Sequence, residues 1–153
     1  MTATDRPVGE ARPAARFRMH WHVVLTHFPI SAFLGAFMFM GLHVITGNAC
    51  YSLAAYVSLV AGAGVMFPTA MTGWFAWRRG YEAFRSPAFL AKIWVAVAML
   101  TLSLALVVYQ TAYPFTLLDA THHVAHAIYF SGVTLLMIGA LAEGYWGGRL
   151  HHR

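Results

Sequence analysis

The chain has 153 residues and a mass of 16.9 kDa, and 59% of its residues are hydrophobic while only 10% are charged. Soluble domains carry roughly 25% charged residues, so this sequence has too little polar surface to cover a water-facing globule. The composition excludes a disordered chain, argues against a soluble enzyme, and predicts an integral membrane protein.

The positions of the basic residues and of the single cysteine exclude one class of partner and two kinds of cofactor site. The formal net charge is +5, but the basic residues lie at the ends of apolar runs, where they act as topology signals. We therefore expect a lipid bilayer and no nucleic acid as the partner. Cys50 is the only cysteine, and it lies in no CxxC or CxxCH motif, so a covalently attached c-type haem or a zinc ribbon is excluded.

Four apolar segments follow a polar tail. Residues 1–18 are rich in arginine and proline, and we expect a disordered tail there, followed by a transmembrane domain over residues 19–150. Each apolar segment exceeds the roughly 20 residues that span a bilayer as a helix. The short loops predict an all-α, antiparallel four-helix bundle. The segments run from His20 to Gly47, from Tyr51 to Trp77, from Pro87 to Ala112 and from His122 to Trp146.

The distribution of arginine predicts the orientation of the bundle. Arginines occur before the first helix, between the second and third helices, and after the fourth, whereas the other two loops carry no Lys or Arg. The positive-inside rule then predicts that the bundle lies in a bacterial inner membrane with both termini in the cytoplasm.

Pro68 should kink the second helix, with Thr69 and Thr72 available to bond freed carbonyl groups.

Histidines near the C-terminal end of the first helix and the N-terminal end of the fourth helix suggest a cofactor. His43 lies about one turn before the end of the first helix, and His126 lies about one turn after the start of the fourth. In antiparallel helices both imidazoles reach a similar depth, which is the arrangement that ligates haem b through two histidines. His122 shares a helix face with His126 and is an alternative iron ligand.

A second polar group is expected at the cytoplasmic end. His20 and His27 share one face of the first helix, and Trp74, Lys92 and Glu143 should lie at a similar depth. Ionisable groups inside apolar segments are costly and often functional, although Lys92 and Glu143 could simply pair or reach towards the surface. This group is a candidate quinone or proton site. His27 is the candidate ligand of a second haem, but no second histidine on another helix accompanies it.

Two short motifs resemble a known family. The first helix contains HVVLTHFPI from His22 to Ile30, and the second ends on TGWFAW from Thr72 to Trp77. Together these resemble the bacterial membrane proteins grouped as the domain of unknown function 2231 family. The resemblance covers roughly residues 20–150, and it implies a cytochrome b-like four-helix bundle with a redox role.

The sequence departs from that family's pattern at three positions. Val23 stands where the family tends to have proline, and Ala76 stands where it tends to have aspartate. Lys92 lies about where the third helix of the family often carries histidine. A site that uses this histidine in relatives is therefore in doubt here.

Three functions compete. The first is a b-type cytochrome that passes electrons between the quinone pool and a periplasmic partner, acting as an electron-transfer subunit rather than as a stand-alone enzyme. The second is a cofactor-free structural or assembly subunit, in which the histidines contact headgroups or water. The third is a transition-metal carrier, since imidazole suits copper, zinc and nickel. The sequence contains no HExxH, no GxSxG and no phosphate-binding glycine loop, which argues against hydrolytic chemistry.

Overall fold

The computed structural model describes residues 13–80, 87–113 and 123–151, with side chains at 24–75, 77–78, 87, 90–113 and 124–146. Within these ranges the protein is helical and contains no strand. It comprises α1 (Pro13–Thr46), α2 (Ala49–Gly80), α3 (Pro87–Ala112) and α4 (His123–His151).

The first helix begins at Pro13, six residues before the predicted domain boundary at residue 19. Proline suits the first position of a helix, because its missing N–H would have no partner there and its fixed φ is already helical. The alanines and arginines that follow are good helix formers, so the helix extends into the predicted tail. The remainder of that tail, residues 1–12, lies outside the described residues.

All four helices contribute a buried row of side chains spaced three or four residues apart. This spacing places each row on one helix face, where it meets the other three rows in a single core. The rows are Phe33, Ala36, Met40 and His43 on α1; Ser52, Ala55, Leu59, Ala63 and Met66 on α2; Met99, Ser103, Leu106 and Gln110 on α3; and Tyr129, Val133, Leu136 and Ala140 on α4.

Glycines set the register between neighbouring helices. A Cβ atom at Gly62 of α2 would lie 2.7 Å from the Phe33 ring of α1, and one at Gly132 of α4 would lie 2.7 Å from Leu106 of α3. These helices therefore touch through positions that lack a side chain, as close packing in membranes requires. Together with the hydroxyl of Thr69 next to Leu25, the contacts show that α1 and α2 run antiparallel.

The outward faces of the helices are apolar. Four spans are long and apolar enough to cross a membrane, and only 17% to 33% of their residues are buried within the bundle. Large side chains such as Ile45, Trp94 and Val124 are at least 70% exposed. A water-soluble protein of this size does not expose so much apolar surface. This pattern indicates a multi-pass membrane protein.

Candidate functional site

Polar side chains terminate the buried rows at one end of the bundle. His43 and Gln110 end the rows of α1 and α3, and Ser52 begins that of α2; all three are more than 90% buried. On α4 the half-buried His126 lies one turn beyond Tyr129. We call this end, where the α1–α2 turn lies, the His43 end. Polar side chains are costly to bury in a membrane helix bundle, so this end is the first candidate for a functional site.

The structure brings His43 and His126 together, as the depth count from the helix ends predicts. Their ring centroids are 5.4 Å apart and their ring planes differ by 18°. This separation is typical of offset aromatic rings. The seam between α1 and α4 continues inwards with a second aromatic pair, Phe37 and Phe130, whose centroids are 5.8 Å apart.

The turn between α1 and α2 orients the His43 ring. Gly47 ends α1 with a φ of 68°, a conformation that glycine adopts without strain. Asn48 then starts α2, because its side-chain oxygen accepts the Cys50 N–H at 2.9 Å. The Asn48 carbonyl oxygen lies 3.0 Å from Nδ1 of His43. A carbonyl group only accepts, so Nδ1 carries the proton, and Nε2 of the neutral ring is left as the basic nitrogen.

The donor set, one imidazole from each of two helices, has the chemistry of bis-histidine iron ligation. The two rings lie stacked with planes 18° apart, so at least one ring has to turn before both could direct a nitrogen at the same iron. A ligating histidine usually donates its other ring N–H to a carbonyl group, as His43 does. Met40 and Tyr129 have no exposed surface, so the core side of the pair is filled. A planar macrocycle between the rings therefore requires the α1–α4 seam to separate.

The same observations give less support to a bare metal ion. Among the described residues, no three His, Cys, Asp or Glu side chains gather around one point. Structural sites for zinc usually take four protein ligands, and catalytic sites take three. Two imidazoles are enough when a macrocycle supplies the remaining nitrogen ligands.

Two further polar atoms at this end have no partner. The Tyr129 hydroxyl and the Gln110 side-chain oxygen are buried and make no hydrogen bond. Tyr129 is fully buried and Gln110 is 7% exposed. Unpaired polar atoms in an apolar interior cost free energy, because the hydrogen bonds they made to water are lost without replacement.

The opposite end of the bundle, which we call the Lys92 end, holds an ion pair. Lys92 Nζ lies 3.7 Å from Glu143 Oε2, and the two side chains are 27% and 15% exposed. The second carboxylate oxygen of Glu143 is buried and makes no hydrogen bond. Of the two outcomes that the sequence allows, pairing or reaching the surface separately, the structure has the pair.

The other residues of the predicted quinone or proton site do not join this pair. The His27 side chain is exposed on α1. Trp74 is 46% exposed, packs on Trp77 and lies beneath the Arg78 guanidinium, which is 5.0 Å from the centre of its ring. The side chain of His20 and the whole of His122 lie outside the described residues.

Sequence reasoning missed Gln110 and Tyr129. Neither is a Lys, Arg, Asp, Glu or His residue, which are the types that stand out in an apolar segment. The signal was nevertheless present for Gln110, because it lies four and seven residues beyond Leu106 and Ser103 in an otherwise apolar span. A polar residue on the core-facing row of a membrane helix needs a partner.

No family model, curated protein or solved structure matches the chain. The family resemblance drawn from the two short motifs therefore gains no support from these comparisons.

Proposed function

We propose that the protein is a small b-type cytochrome of a bacterial inner membrane, with both termini in the cytoplasm. In this proposal it holds haem b between His43 and His126 and passes electrons between the quinone pool and a periplasmic redox partner. The observation that supports the proposal is that the His43 and His126 rings lie against each other at one depth, on helices distant in sequence. Haem b would supply one-electron redox chemistry at this position.

The chain's own residues contribute orientation and burial. The Asn48 carbonyl oxygen fixes the His43 tautomer, and burial of His43 keeps water from the ring. A hydrogen bond at Nδ1 makes the opposite nitrogen a stronger donor, and an apolar surround changes the reduction potential of a bound metal. Both effects would tune the reduction potential of a haem iron bound at this position.

Distance within the bundle favours an electron donor at the His43 end. His126 and Glu143 are seventeen residues apart on α4, which corresponds to about 25 Å along a helix. This is most of the ~30 Å thickness of a hydrocarbon core. The Lys92–Glu143 pair therefore lies far from the paired imidazoles, and it suits a structural or proton-holding role better than direct contact with the same cofactor.

The first experiment is a visible difference spectrum of the purified protein. The full chain is expressed with haem supplied, purified in mild detergent, and recorded reduced with dithionite minus oxidised. We expect a low-spin b-type spectrum that His43→Ala and His126→Ala abolish. His27→Ala is the matched control, because this histidine lies on α1 with an exposed side chain, and its spectrum should be unchanged. A folded wild-type protein without a haem spectrum would contradict the proposal.

A cofactor-free structural subunit is the second candidate. The span of α3 is the least buried of the four, at 17%, and its Trp94 is 70% exposed. Such a face suits lateral packing against another membrane protein as well as against lipid. Fixed co-purification of a partner with a haem-free, folded chain would favour this function.

A further inference from the structure

A row of exposed side chains runs along the outer face of α2 towards the Lys92 end. Its members are Phe67, Met71, Trp74 and Arg78, and all four are exposed. They are four, three and four residues apart, and this spacing places them on one face of the helix. We call this row the α2 stripe. It is apolar as far as Trp74 and ends in the positive charge of Arg78.

The α2 stripe has the length of one lipid leaflet. Phe67 and Arg78 are eleven residues apart, which corresponds to about 16 Å along a helix, and half of a hydrocarbon core is ~15 Å thick. The apolar span of α2 ends at Phe75, so Arg78 lies about one turn beyond it, at the depth of lipid headgroups. An acyl chain can therefore lie along the apolar part of the stripe while its headgroup lies beside Arg78.

The Trp74 ring positions the Arg78 side chain at this depth. The guanidinium carbon of Arg78 lies 5.0 Å from the centre of the Trp74 ring, a distance typical of a cation–π interaction. Trp77 packs against Trp74, with ring centroids 5.2 Å apart. A guanidinium that is already held by a ring loses less conformational freedom when it binds an anion, and its planar set of N–H donors matches a phosphate group.

A second arginine occurs at the same level on the neighbouring helix. The contact between the Thr69 hydroxyl and the Leu25 carbonyl oxygen fixes the antiparallel register of α1 and α2. Nine residues before Leu25 stands Arg16, and nine residues after Thr69 stands Arg78. Both positions lie within the helices. Two adjacent helices therefore each place an arginine at the level of the headgroups.

We propose that the α2 stripe binds an anionic phospholipid, with the lipid phosphate beside Arg78 and one acyl chain along the three apolar side chains. The two arginines favour a headgroup with a net negative charge, since they repel the ammonium group of a zwitterionic headgroup. Among the side chains that the structure describes, the ion pair is that of Lys92 and Glu143, so none of their carboxylates neutralises Arg78. In the orientation proposed above, this lipid belongs to the cytoplasmic leaflet.

The test is native mass spectrometry of the purified full chain in mild detergent, titrated with phosphatidylglycerol and with phosphatidylcholine of the same acyl chains. We expect the wild type to bind phosphatidylglycerol at least roughly fivefold tighter, because one arginine near a membrane surface contributes about that factor. Arg78→Gln should lower this preference roughly fivefold. Trp74→Leu keeps an apolar side chain but removes the ring, and it should lower the preference roughly twofold.

Arg149→Gln is the matched control for net charge. It removes the same charge at the same end of the bundle, but Arg149 lies on α4. Because α4 packs against α1 and α3, it lies diagonally across the bundle from α2. The lipid preference of this variant should equal that of the wild type.

Four outcomes would overturn the inference. The first is equal affinity of the wild type for the two lipids, a comparison that holds even if a variant does not fold. The second is an unchanged preference in Arg78→Gln. The third is an equal loss in Arg149→Gln, which would assign the attraction to net charge. The fourth is displacement of the lipid by an equal concentration of glycerol 3-phosphate, which would indicate a site for free anions. None of these measurements needs haem, so they are independent of the cytochrome proposal.

Discussion

The hydroxyl oxygen of Thr69 on α2 lies 3.2 Å from the carbonyl oxygen of Leu25 on α1. Leu25 is the residue whose carbonyl would accept the N–H of residue 29, but Pro29 has none. The Thr69 hydroxyl also lies 2.8 Å from the Val65 carbonyl oxygen of its own helix, so its single proton is shared between the two carbonyl groups. Thr69 thus brings, from a neighbouring helix, a donor within reach of a carbonyl group whose partner within α1 is missing.

Replacement of Thr69 by valine should therefore loosen the α1–α2 pair. Valine has the same shape and no hydroxyl, so the Leu25 carbonyl would lose this bond, and we expect a loss of about 1 kcal/mol in unfolding free energy. Thr69→Ser should recover most of it. The measurement is unfolding in mixed micelles with increasing denaturing detergent. Thr101→Val is the control, because the exposed Thr101 hydroxyl bonds only to Val97 of its own helix. An equal loss in the control would argue against the cross-helix role.

Gly62 should tolerate no side chain. A Cβ atom there would lie 2.7 Å from the Phe33 ring and 3.2 Å from the Ala32 Cβ atom. Because an aromatic ring cannot bend away, Gly62→Ala should separate α1 from α2 and cost about 1–3 kcal/mol. Gly64→Ala is the matched control two residues along the same helix, where a Cβ atom meets nothing within 4 Å. The same unfolding assay checks both, and equal stability of the two variants would contradict the close contact.

Segment length accounts for most of what could be predicted about this structure. The four predicted segments match four helices because twenty apolar residues in lipid have only the helix available. The approach of His43 to His126 follows from counting residues inwards from antiparallel helix ends. Helix rotation was harder to predict. The expected polar group joined His27 to Lys92 and Glu143, whereas Pro29 and Phe33 form the buried face of α1 and leave the His27 side chain exposed. Nearly uniform apolarity around each helix gives little signal for rotation.

Lys92 and Glu143 should stabilise the fold through their interaction with each other, so the loss of one charge should cost more than the loss of both. Glu143→Gln leaves the ammonium group of Lys92 without its counter-charge in a membrane segment, and we expect a loss of about 1–3 kcal/mol, reduced from a fully buried pair by partial exposure. The double variant Lys92→Met with Glu143→Gln should recover most of that loss, because no unpaired charge remains. Unfolding of Lys92→Met, of Glu143→Gln and of the double variant gives the coupling energy. If the two single effects simply add, the ion pair carries no stability.

The turn that orients His43 gives the sharpest test of the His43 end. Gly47 has a φ of 68°, so Gly47→Ala forces a side chain into the left-handed region at a cost of about 1–2 kcal/mol. The strain should displace Asn48 and weaken the hydrogen bond between its carbonyl group and the His43 ring. Gly41→Ala, six residues earlier and within α1, is the control, since a Cβ atom there meets nothing within 4 Å, and this substitution should be neutral or stabilising.

Nitrogen-15 NMR of the histidine rings reads the consequence directly. In the wild type the Nδ1-protonated tautomer of His43 should dominate, because the Asn48 carbonyl oxygen accepts from that nitrogen at 3.0 Å. In Gly47→Ala the two tautomers should become mixed, while Gly41→Ala should retain the wild-type spectrum. Unchanged tautomer populations in Gly47→Ala would show that the turn does not control the ring. The measurement needs no haem, so it separates the orientation of His43 from the identity of what His43 binds.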